Sequence, residues 1–288
     1  MKVGYHTNGS EKNYISSFQE VIDDGGNSLQ IFIGNPKSYN CKVLDKKIAE
    51  ATKQFVIDNN LFVIVHSPYL INFCRLGCEQ TKKSIDRLIS DINNTVMIGG
   101  YGTILHMGKN VKEMKITDRE ACLNFIENLK TVLDSTTGMI ILENMCGCGT
   151  SICCEMKEWA EFWTCLKQEL GERIERVKWC VDTAHLFATG EYNISRKREV
   201  VRFYNDFSRL IGWENLACFH FQGSYVDFGG KSDRHADISE DYSGLIKTKG
   251  LKKLAKIAFK TDKPLIMEIP GVVLNPKQQI TLIKSWIN

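Results

Sequence analysis

The chain has 288 residues, 43% of them hydrophobic and 25% charged, with a formal net charge of +3. That length accommodates one α/β barrel of about 250 residues, and the composition is that of a soluble globular protein with a large core. So mild a positive balance does not by itself argue for a polyanionic partner. No apolar run approaches the roughly 18 residues of a membrane span. The opening Met1-Lys2-Val3-Gly4-Tyr5-His6 is too short and mixed for a secretory signal. An intracellular, non-secreted protein without a membrane partner is expected, its eleven cysteines free thiols in a reducing compartment. Cys74 with Cys78, Cys146 with Cys148, and Cys153 beside Cys154 are the alternative, a structural zinc site, but they form no paired C-x-x-C motif.

Short apolar runs alternate with longer amphipathic segments. The runs are Val3 to His6, Leu29 to Ile33, Leu61 to His66, Thr103 to His106, Met139 to Glu143, Val177 to Asp182, Leu216 to His220 and Pro264 to Glu268. Their near-continuous aliphatic character fits strands buried on both faces, as in a parallel sheet. Ser10 is placed to cap a first helix carrying Tyr14, Phe18 and Val21, stopped by Gly25-Gly26. Leu44, Ile48, Phe55 and Val56 mark a second helix, and Ile85, Leu88, Ile92 and Val96 a third. Thr117 opens a fourth with Phe125, Leu129 and Val132, while Trp159, Phe162, Trp163 and Leu166 form a fifth. Val200, Phe203, Phe207 and Leu210 make a sixth, Leu251, Leu254 and Ile257 a seventh, and Pro276 through Ile287 an eighth.

Eight strands alternating with eight helices predict a (β/α)8 TIM barrel or an open doubly wound sheet. No GxGxxG follows the first strand, which removes the usual dinucleotide-binding open sheet. With no internal repeat or linker, residues 1–288 read as a single domain. The one long irregular connection, Phe221 to Ser243, is of the kind that carries function or moves.

The chemistry lies in how the strands end. Successive runs finish in His66, His106, Glu143, Asp182, His220 and Glu268, and in a barrel the C-terminal strand ends surround one mouth. His185 follows Asp182 by three residues, and the long connection adds Asp233 and His235. Only His6 is left over among the histidines, also at a strand end. Nine imidazoles and carboxylates packed together without metal would leave like charges close and unpaired. Four ligands saturate one zinc, so nine imply a cluster with at least one bridging carboxylate.

The segments QIFIGNPKSY, VHSPYLIN, LHMG, LENMCGCG, CVDTAHLFATG, the Asp233-Arg234-His235 triplet and MEIPG together resemble the endonuclease IV family of apurinic/apyrimidinic endonucleases, from about Gln30 to Pro270. The resemblance implies a barrel enzyme of base-excision repair with three zinc ions, acting as a monomer on double-stranded DNA that contains abasic sites. It implies cleavage 5′ to the abasic site and clearing of blocked 3′ ends. His66, His106 and Glu143 would hold one zinc; Glu143 would bridge to a second completed by Asp182, His220 and Glu268; His185, Asp233 and His235 would hold the third. Glu268 would orient or deprotonate the attacking water, with Glu143 the other catalytic carboxylate. Lys37, Tyr69 and Leu70 match positions that enter the DNA stack, Lys37 standing where an arginine is expected.

The chain departs from the family at Phe221-Gln222-Gly223, where an Asn-Asp pair is expected, and at 236–244, where a shorter turn is. Both changes leave the metal ligands in place and bear on the groups that orient them. Two other readings fit the strand ends: a sugar isomerase or epimerase on the same barrel, and a non-catalytic binder of damaged DNA. The set of His185, Asp233 and His235 argues against the first, and the complete ligand complement against the second.

Overall fold

The computed structural model describes residues 1–9, 14–241 and 243–287. Eight parallel strands close a barrel: β1 (Val3–His6), β2 (Ser28–Phe32), β3 (Phe62–His66), β4 (Gly102–His106), β5 (Met139–Glu143), β6 (Val177–Asp182), β7 (Leu216–His220) and β10 (Leu265–Met267). Between the last two, β8 (Gly223–Ser224) and β9 (His235–Ala236) form a short antiparallel ribbon. The ring runs β1-β10-β7-β6-β5-β4-β3-β2, and β1 pairs with β2 to close it. The described helices are α1 (Tyr14–Asp23), α2 (Lys46–Asp58), α3 (Glu79–Met97), α4 (Asp118–Asp134), α5 (Met156–Leu170), α6 (Thr183–Ala188), α7 (Lys197–Leu210), α8 (Thr248–Lys260) and α9 (Pro276–Ser285). None is long and apolar enough to cross a membrane.

The barrel expectation holds, with local corrections. β1, β5, β6 and β7 match the apolar runs residue for residue, while β10 stops at Met267 and leaves Glu268 just beyond it. The expected cap Ser10 lies outside the described residues. Leu44 precedes α2, whose cap is Asp45, accepting from the amides of Lys47 and Ile48. Thr117 caps α4 as expected, in a reciprocal capping box with Glu120. Ile287 lies past the end of α9. The unforeseen helix is α6, which follows β6 with no intervening loop, where the sequence suggests only a strand end and a turn at Gly190. The connection after β7 holds the ribbon, whose two-residue strands are invisible to periodicity.

Side-chain alternation along the strands explains how the mouth is built. Below it the barrel interior is filled by an apolar cluster that includes Ile64, Ile104, Ile141, Cys180, Cys218 and Ile266. Each is followed, two residues on and therefore on the same face, by a polar group: His66, His106, Glu143, Asp182, His220 and Glu268. Strand register aligns these ends, with His106 beside Glu143, Asp182 beside His220, and His6 beside Gln30. The larger core lies between the sheet and the helices, where Trp159 stacks on Trp179 at 5.6 Å between ring centres.

Candidate metal centre

Glu143, buried at the end of β5, is the point on which the mouth converges. Its Oε2 lies 3.3 Å from His66 Nε2 and 3.2 Å from His106 Nε2. Its Oε1 lies 2.9 Å from His220 Nδ1 and 3.6 Å from His185 Nδ1. Two sets of groups with metal-binding spacing share this residue: His66, His106 and Glu143; and Glu143, Asp182, His220 and Glu268. A further set is Asp182, His185 and His235. Asp233 joins that last set through its carboxylate, 3.3 Å from His185 Nε2 and 2.9 Å from His235 Nε2. All nine expected ligand positions therefore come together, and Asp182 stands between two of the sets. The metal-competent groups among the described residues contain histidine, aspartate and glutamate and no cysteine.

Orientation of the imidazoles follows from their second nitrogens. His66 Nδ1 lies 2.6 Å from Ser67 O, His185 Nδ1 2.8 Å from Asn144 O, and His235 Nδ1 2.9 Å from Glu268 O. A carbonyl only accepts, so each Nδ1 carries hydrogen, and once the ring is neutral each Nε2 presents a lone pair to the centre. α6 adds a second constraint. Asp182 is its N-cap, taking the His185 amide on Oδ1 at 2.7 Å, which holds its carboxylate and His185 in a fixed relation. The expected substitution at Gln222 places an amide here: its Nε2 donates to Asp182 Oδ2 and lies 3.3 Å from His235 Nε2, and its Oε1 accepts from the Glu268 amide at 3.0 Å.

The centre is electrostatically tuned for cations. Burial opposes charge on His220, yet Glu143 and Glu268 push its pKa up to about 10. Burial likewise opposes charge on His235, and Asp182 with Asp233 raises it to about 9. Burial would raise Glu268, but His220 together with the other nearby imidazoles holds it down at about 2. Burial opposes ionisation of Asp233, and hydrogen bonds from His185 and His235 hold it well below the usual carboxylate range. His6 differs: burial is the main cause that lowers it to about 4. Glu143 Oε2 is buried and, although two imidazole nitrogens stand near it, lacks a hydrogen bond of good geometry. Such orphaned atoms cost free energy unless something pairs with them. Oxygen and imidazole donors in this number and spacing fit divalent metal ions of the zinc type.

The residues expected at the DNA sit around the rim. Tyr69 and Leu70 are 55% and 40% exposed, so neither is a packing residue beneath its loop. The Tyr69 ring stands 5.3 Å from that of His66 and 5.8 Å from His106, and Tyr39 donates its hydroxyl to Leu70 O at 2.7 Å. Lys37 is exposed on the loop after β2. That loop is anchored by a residue that sequence reasoning missed, the fully buried Arg87 of α3. Its guanidinium donates to Ile33 O (2.6 Å), Ser38 O (3.0 Å) and Asn40 O (2.7 Å), and Nε pairs with Asp91 at 3.0 Å. These carbonyls bracket Lys37. No signal in one sequence distinguishes this arginine from a solvated helical one.

The chain matches the family model described as a xylose isomerase-like TIM barrel over residues 18–287. It is 36% identical to a candidate endonuclease 4 of Acanthamoeba polyphaga mimivirus, covering 99% of this chain and 93% of that protein. It is 28% identical to one from Symbiobacterium thermophilum, covering 94% and 93%. Among solved structures, endonuclease IV from Thermus thermophilus superposes with a TM-score of 0.83 at 21% identity, over 100% and 99% of the two chains. A D-tagatose 3-epimerase-like protein superposes with 0.68 at 13% identity, over 100% and 97%, so the barrel alone does not distinguish the two. The full-length sequence similarity decides between them: the chain belongs to the endonuclease IV family of apurinic/apyrimidinic endonucleases.

Proposed function

We propose that the protein is a zinc-dependent endonuclease of base-excision repair, working as a monomer of one domain, 1–288. It hydrolyses the phosphodiester 5′ to an abasic site in duplex DNA, leaving a 3′-hydroxyl and a 5′-deoxyribose phosphate, and it clears blocked 3′ ends. The observation that carries this reading is the ninefold constellation around Glu143, including the extra set His185, Asp233 and His235. A one- or two-metal isomerase has no use for that extra set.

In this reading His66, His106 and Glu143 hold one zinc, Glu143 with Asp182, His220 and Glu268 a second, and His185, Asp233 and His235 a third. Bound zinc ions supply Lewis acidity toward phosphate oxygens and lower the pKa of water. Glu268, the residue of the centre just past β10, orients the attacking water and takes its proton. Its low pKa keeps it in the accepting, ionised form at neutral pH. Glu143 spaces the histidine pairs and keeps both sides of the centre in one geometry. Tyr69 and Leu70 enter the stack at the lesion, where ring stacking and apolar burial offset an unstacking cost of a few kcal/mol. Lys37, on the loop braced by Arg87, faces the DNA backbone as a point charge without the planar fork of an arginine.

The test is a duplex oligonucleotide carrying one stable abasic analogue, incubated with the protein with and without chelator. A chelator-sensitive nick on the 5′ side of the analogue is expected, together with about three zinc per chain by elemental analysis. Absence of that nick removes the nuclease reading; one manganese or magnesium per chain with turnover of a ketose favours the isomerase.

A further inference from the structure

His220 is oriented differently from its neighbours. For His66, His185 and His235 the outward nitrogen meets a main-chain carbonyl, whereas His220 Nε2 lies 2.8 Å from the side-chain oxygen of Gln30. An amide side chain can turn over and offer nitrogen in place of oxygen, so something must decide which end faces His220. Glu268 decides it. Gln30 Nε2 lies 2.5 Å from Glu268 Oε1 and 3.0 Å from His6 Nδ1. An ionised carboxylate only accepts, so the amide N–H must face Glu268 and the amide oxygen must face His220. The hydrogen of a neutral His220 then sits on Nε2, and its lone pair sits on Nδ1. That nitrogen is the one 2.9 Å from Glu143 and 3.4 Å from Glu268. Gln30 is fully buried in β2, with no water-facing alternative for its amide.

We propose that Gln30 is a positioning residue: clamped by Glu268 and His6, it fixes which nitrogen of His220 is offered to the metal centre and ties that choice to the placement of Glu268. This rests on the metal-dependent reading of the mouth. It also gives the sixth histidine a place, since His6 closes the far side of the amide.

The test compares wild type, Gln30→Glu and Gln30→Met, all zinc-loaded and 15N-labelled at histidine, with His220 assigned through His220→Asn. Glutamate, which must share a proton with Glu268 at this distance, keeps an oxygen for His220 Nε2–H; methionine, of similar length, offers none. In wild type the His220 Nε2 proton is expected as a slowly exchanging signal, retained in Gln30→Glu. In Gln30→Met it exchanges with water, and one zinc equivalent passes to a competing chelator about 10–100-fold more readily, on the order seen when a ligand's supporting partner is removed. Wild-type zinc retention and a slowly exchanging His220 proton in Gln30→Met overturn the proposal. Should that variant not fold, Gln30→Asn, which withdraws the amide by one methylene, is read the same way. Abasic-site cleavage by the wild type is measured alongside. If it fails while the Gln30 effects stand, the nuclease reading falls and this one survives; cleavage without any Gln30 effect rejects this one alone.

Discussion

The same six strands build two regions of opposite character, separated by a single side-chain alternation. Ile64, Ile104, Ile141, Cys180, Cys218 and Ile266 plug the barrel, and the residues two positions on carry imidazole or carboxylate. The plug is held by area removed from water, which depends weakly on orientation. The mouth is held by direction: most of its nitrogens and oxygens have a specified partner, and one rotated ring spoils the set. A substitution in the plug should therefore spend itself in stability and leave chemistry intact, while one in the mouth should do the reverse.

The largest effect is expected from Glu143→Ala. Removing the group shared by two metal sets should bring cleavage to background and lower the zinc content measured after dialysis, with the circular-dichroism spectrum unchanged. Glu268→Gln should cost about 10²–10⁴ in kcat, the usual worth of a general base, while zinc is retained. Full turnover in that variant with metals bound would remove its assigned role.

In the frame, Arg87→Met should cost about 3–5 kcal/mol in denaturant unfolding, since it strands the buried Asp91 charge. Ile141→Ala should cost about 2–5 kcal/mol with unchanged kcat for the folded fraction; a large fall in kcat there would mean plug and mouth are not separable. On the rim, Tyr69→Ala should weaken binding to the abasic duplex by about 1–3 kcal/mol, the worth of a base–aromatic stack, without altering zinc content. The smallest graded effect is on pH. His220 and His235, raised to about 10 and about 9, are protonated at neutral pH, and a metal ion must displace those protons. Zinc affinity should accordingly rise with pH up to about 9–10, and a chelator titration showing a flat or falling dependence would contradict it.

Most of this arrangement is legible in the sequence because the barrel writes both regions in one period. A buried parallel strand leaves an unbroken apolar run, and a polar residue closing such a run marks the mouth, which is how His66, Glu143 and Asp182 stand out. Gln30 sits inside its run, one residue before Ile31, so the rule passes over it. Its hydrogen bonds to His220 and Glu268, and its register beside His6, show that it reaches the level of the other mouth residues. Arg87 is hidden for a different reason: its meaning lies in partners such as Ile33, more than 40 residues away, whereas Gln222 stands out in the sequence as a departure but its partner Asp182 does not. Helix α6 escapes because six residues hold too few turns to show an amphipathic period.

The direct passage from β6 into α6 has one more consequence. Asp182 ends the strand and caps the helix, so the spacing between it and His185 is set by a helical first turn. Each residue of an α-helix advances about 100° around its axis. Inserting one residue between Thr183 and Ala184 would swing the imidazole by about that angle and carry it out of the mouth altogether. Chain length at this point is consequently locked, whereas between His220 and Asp233 the chain passes through β8 and a long loop before returning. Of the two routes into this set, only the second leaves evolution room to lengthen or shorten the backbone without disturbing the geometry of the set.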